Sequence, residues 1–165
     1  MFSLYENHSI CAKLYKREVL ITAFESIPFV YCNLAESYLF FFFIVLNSHK
    51  FIGINTPVYK YIINTGLTSG KKIDTLDKCK SICSSASVFT VIFDFLEKNN
   101  HTIKLNEEEI TKIGENLLIL AKQSIDQVEK NIIPELKEQA QEILLNYWGE
   151  NIITVVKNKL NQNNK

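Results

Sequence analysis

Cys79 and Cys83, one helical turn apart, come closest to a reactive pair in this chain, and His101 follows at a distance from which it could fold back as a third ligand. Structural zinc usually announces itself by two closely spaced pairs, and here the second pair is missing. Both cysteines also fall on the apolar side of their helical pattern, where a thiol behaves as a small hydrophobe. The expectation is no metal, no cofactor, and reduced thiols at Cys11, Cys32, Cys79 and Cys83.

General acid–base work needs two groups within hydrogen-bond reach of one substrate, and no spacing of His8, His49 or His101 specifies that. Each lies beside Asn or Ser at the edge of an element, as a solvated histidine would. The helical ribonucleases of the HEPN superfamily pair an arginine with a histidine a few residues on. Arg17, the only arginine, is followed by Ile21, Thr22 and Ala23, so that pair is absent. Ser81, Ser84, Ser85 and Ser87 have neither a neighbouring histidine nor the glycines of a nucleophile elbow. "NTGLTSGKK" is one residue short of a phosphate-loop spacing and follows no strand, which makes it an ordinary basic loop.

What remains is charge. Residues 106–150 carry ten carboxylates against four lysines, whereas residues 61–105 carry six lysines against four carboxylates. Glu135, Glu138 and Glu142 recur at three and four residues and so line one helical stripe, with Asp126 and Glu129 just before it. Tyr147 and Trp148 stand at its far end, where Trp148 reads equally as a core residue at a helix junction. Aromatic anchors beside a charged surface are how interfaces gain lifetime and steering, so Asp126, Glu129, Glu135, Glu138, Glu142, Tyr147 and Trp148 form the candidate partner-binding site. The plainer reading is a solvated helix face.

The elements that carry these residues are helical throughout. A chain of 165 residues, 47% hydrophobic and 22% charged, is large enough for one compact core and has an ordinary globular composition. From Tyr38 to Leu46 nine successive residues are apolar, bounded by Glu36 on one side and Asn47, Ser48, His49 and Lys50 on the other. That is short of the roughly 20 residues needed to cross a bilayer. The stretch reads as a buried central helix near 34–48, with Asn33 and Glu36 as a capping box.

A first helix is expected from Asn7 or Ser9 to about Ile27, before Pro28. A short one should start at Thr56 and Pro57 and stop at Gly66. Asp74 or Thr75 opens a further helix bearing Leu76, Cys79, Ile82, Cys83, Ala86, Phe89, Ile92, Phe93 and Leu96, weakened at serines 84–87. Asn106 with Glu109 caps a long one carrying Ile110, Ile113, Leu117, Ala121, Ser124, Val128 and Ile132. Pro134 starts or kinks the next, in which Leu136, Ala140, Ile143, Leu144 and Tyr147 repeat the pattern, and Gly149 separates a last helix ending in a frayed polar tail at 161–165. "HTIKL" at 101–105 is the single strand-like stretch. The fold expected is all-α: one domain over 1–165, a single compact bundle of six or seven mostly antiparallel helices.

Zero net charge and the lone arginine argue against direct nucleic-acid binding. Abundant Ile, Lys and Asn reflect an AT-rich genome. The N-terminus shows no secretory signal pattern, so the expected compartment is the reducing cytoplasm, with no membrane partner. Three function classes fit. The leading one is a non-enzymatic intracellular binding protein, an inhibitor or immunity protein that neutralises a basic toxin such as a nuclease through the acidic helical surface. The others are a helical ribonuclease or hydrolase using a histidine, and a structural or regulatory subunit of a larger assembly.

Overall fold

In the computed structural model the described residues are 10–60, 62 and 72–163, with side chains described as far as 159. They form the helices α1 (Arg17–Glu25), α2 (Glu36–Leu46), α3 (Leu76–Cys83), α4 (Ser85–Lys98), α5 (Glu107–Asn131) and α6 (Lys137–Asn163), with a 3-10 turn at Pro134–Leu136. Ser84, between α3 and α4, keeps right-handed helical dihedrals, so the two run on as one rod of 23 residues. The described chain thus counts five helical rods, where six or seven helices were expected. It is all-α, with no strand among the described residues. Residues 101–105 are turn and coil, and a single β-bridge among the described residues joins Ile73 to Ile132.

α2 is the centre of the core because its residues leave it no polar side. Tyr38, Leu39, Phe41, Phe42, Phe43, Ile44 and Val45 are all buried. It packs on α1 on one side and α4 on the other. Phe24 of α1 meets Phe40 edge-on at 5.2 Å, Phe95 of α4 meets Phe43 at 4.7 Å, and Tyr38 lies 5.5 Å from Phe89. Such aromatic pairs add about 0.5–1.5 kcal/mol each beyond the area they bury. α4 then passes the core on to α5, and α5 and α6 pack along each other. Buried hydroxyls tie α4 to α5: Ser85 Oγ lies 3.2 Å from Ser124 Oγ, and each reaches the carbonyl of Ile82.

Several starts follow local chemistry as expected. Thr75 accepts from the backbone N–H of Lys78, and Asn106 and Glu109 make both bonds of a capping box at 2.9 Å. The start of α2 differs. Ala35, in left-handed backbone conformation, is its cap, while Asn33 is drawn away: its side chain donates to Tyr31 and its N–H donates to Ser84 Oγ. A tertiary hydrogen bond outcompetes the local box. α1 begins only at Arg17, and residues 51–60 are not helical, so the expected short helix does not form at Pro57. Asn7, His8, Ser9, Gly66 and the loop at 65–71 lie outside the described residues. α6 continues as helix to Asn163, into the stretch expected to fray. It bends at Gly149, whose φ of 70° and ψ of 156° are open essentially to glycine alone.

By length and composition the rod Leu76–Lys98 could cross a membrane, although half of its most apolar window is buried inside the fold. The phenylalanine-rich α2, at 11 residues, is shorter.

Candidate functional site

The acidic residues of the candidate site divide into two groups. α5 presents Asp126 and Glu129 near its C-terminal end, where lysines one helical turn away and on α6 meet them. Lys122 donates to Asp126 at 2.7 Å and Lys130 lies 3.5 Å from the same oxygen. The hydrogen bond from Lys122, with the charges of both lysines, holds the Asp126 carboxyl below its ordinary range. Glu129 pairs with Lys157 of α6 at 2.9 Å, bridging the two helices. These two carboxylates are neutralised within the chain.

Glu135, Glu138 and Glu142 are not. All three are exposed, and none has an ion-pair partner among the described residues. Pro134 sets this arrangement. It ends the α5 register, starts the 3-10 turn that carries Glu135, and leads into the first turns of α6 with Glu138 and Glu142 on the outer side. Lys137 lies beside the stripe, on the side of a cleft of about 260 Å³ that also has Val128, Ile132 and Leu144 in its wall.

The far end of the stripe is not as the sequence suggests. Trp148 is only 5% exposed and belongs to the core, so its indole is no surface anchor. Its Nε1 is buried and finds no hydrogen-bond acceptor among the described residues. Ala140, Leu144 and Trp148 are all buried at steps of four, a periodicity visible in the sequence that should have placed the tryptophan inward. Tyr147 is half-buried, and burial raises its hydroxyl pKa, with Tyr31, Cys83 and Cys79 as its electrostatic neighbours. The apolar group that does stand out is Leu145, 49% exposed and three residues beyond Glu142. The same spacing that found the glutamates points to it.

The other chemistry-bearing residues stay apart. Cys79 and Cys83 are fully buried on α3, and the Cys83 thiol is pushed up by its hydrogen bond to Cys79 and by burial. Cys32 donates to the carbonyl of Leu34, and burial raises it to about 11. Thiols raised in this way are poor nucleophiles, and Cys79, which the hydrogen bond with Cys83 lowers, is fully buried. His49 and His101 are exposed and make no ion pair among the described residues; only His49 borders the cleft between α2 and residues 14–19. No three His, Cys, Asp or Glu side chains gather among the described residues.

No protein-family model, curated protein or solved structure matches this chain.

Proposed function

We propose that the chain is a non-enzymatic intracellular binding protein that docks a basic protein through the outer face of α6. Within that class, an inhibitor or immunity protein for a basic toxin such as a nuclease fits best, because a nuclease is basic where it holds its anionic substrate. One observation carries this reading: Glu135, Glu138 and Glu142 are exposed and uncompensated, while Asp126 and Glu129 beside them are paired with Lys122, Lys130 and Lys157. With Lys137 as the one cation beside it and no ion pair formed among the described residues, the stripe offers most of its negative potential to a partner. Leu145, at the end of the stripe, supplies apolar area that excludes water from the contact.

The test is co-purification from the native cell, followed by association kinetics with the protein retained. The expected partner is basic and is released by salt. Replacing Glu135, Glu138 and Glu142 together by lysine should slow association by about tenfold or more at low salt, with the difference shrinking as salt is raised. Leu145→Ala should instead hasten dissociation. Unchanged rates in a folded triple-lysine variant would reduce the stripe to a solvated face.

A further inference from the structure

A second surface has the opposite character. Between Glu36 and Asp74 the chain contains no Asp or Glu, and within that stretch residues 51–60 run without helix or strand. Phe51, Ile52, Ile54, Val58, Tyr59 and Ile62 are each between 49% and 69% exposed. Lys50 and Lys60 punctuate them and are exposed too. Isolated exposed apolar residues need no explanation, but six in one short segment do.

The segment does not stand alone. A cleft of about 480 Å³ has Leu14, Lys16 and Val19 on one wall and His49, Lys50 and Phe51 on another, with α2 between them. This places the N-terminal edge of α1 beside the start of the exposed segment. That edge is of the same kind: Leu14 is fully exposed, Lys16 and Arg17 are exposed, and Glu18 is the single carboxylate in residues 10–24. Around the cleft Leu14 and Phe51 stand among Lys16 and Lys50, with Arg17 next in the chain, and from Phe51 the chain leads into the exposed apolar run that carries Lys60.

We infer that this face docks on an anionic lipid bilayer surface, with the apolar side chains at the level of the headgroups and the basic ones on lipid phosphates and carboxylates. Two features favour a bilayer over a protein groove. Phe51, Ile52 and Ile54 follow one another closely in a stretch without helix or strand, and all three are exposed. A rigid partner covers one side of such a segment, whereas a fluid interface surrounds it. The charge is also complementary to acidic headgroups, which draw in basic segments and leave aromatic rings at the interface. This is surface attachment and needs no spanning helix.

Sedimentation of the full chain with vesicles tests it. The chain should sediment with vesicles of phosphatidylcholine containing phosphatidylserine, should do so far less with phosphatidylcholine alone, and should be released by salt. Each of Lys16→Ala, Lys50→Ala and Lys60→Ala should weaken binding about fivefold. Phe51→Ser with Ile52→Ser and Ile54→Ser should abolish it while leaving the thermal transition in place, since these side chains are exposed. Absence from mixed vesicles, or equal binding to both vesicle types, would overturn the proposal. So would a dimer lost in the serine variant together with no lipid binding, because the face would then join two copies of the chain.

Discussion

Trp148 and Asp126 show how a side chain's surroundings decide its role. The indole of Trp148 fills the core between α6 and its neighbours, yet its N–H has lost water without gaining an acceptor among the described residues. Trp148→Ala should therefore destabilise the fold by about 3–5 kcal/mol, as for other large core truncations. Trp148→Phe keeps a ring and removes the orphan donor, and should cost less than about 1.5 kcal/mol. Urea unfolding of the two variants separates these values, and equal losses would show that the N–H is satisfied. For Asp126, a lowered native pKa means that its contribution is fully present above the unfolded value of about 3.9 and is lost as pH falls through the lower native one. Its carboxylate is 26% exposed, so the pair with Lys122 is worth only about 0.2–1 kcal/mol. Asp126→Asn should lower stability by that amount at pH 7, and the two proteins should converge in acid.

At the scale of the elements, α5 and α6 are governed by their ends. The Asn106 and Glu109 box satisfies orphan N–H groups at the start of α5, so Asn106→Ala should cost about 1 kcal/mol. The bend of α6 depends on Gly149. A Cβ there would meet nothing within 4 Å, so no clash opposes Gly149→Ala. The backbone does, because φ of 70° with ψ of 156° is disfavoured for alanine by about 1–3 kcal/mol. Denaturant unfolding should show that loss, or else circular dichroism should show added helix as α6 straightens. A variant with neither change would mean the bend is not held by the glycine.

Across the whole molecule, one apolar helix is wrapped and the charges are sorted. α2 is covered by α1 and α4, and the rod Leu76–Lys98 turns Cys79, Ile82, Cys83, Val88, Phe89 and Ile92 into the same core. A rod with this much of its apolar surface inside a fold should remain in it without detergent. Circular dichroism in plain buffer is expected to show a helical spectrum with a cooperative thermal transition, and helix that appears only in detergent would contradict the packing described. The acidic stripe of α6 and the basic, apolar surface beside α1 and α2 are separate features, so the lysine variants of the first should leave lipid sedimentation no weaker.

Where physics is local, the residues alone were enough. Thr75, Asn106 with Glu109, Pro134 and Gly149 act on their own backbone or on groups a turn away, and each marks a start, a stop or a bend in the structure. The unbroken apolar run at 38–46 could only be buried. Other outcomes depended on residues distant in sequence. Asn33 left its cap because Ser84, 51 residues later, offered its N–H an acceptor. Asp126 and Glu129 read as surface charge until Lys157 and the neighbouring turns were in place around them. Trp148 is a different case, since its step of four from Ala140 and Leu144 already put it on the buried face. Local propensity determined where helices form; which charges stay uncompensated was decided by what the helices met.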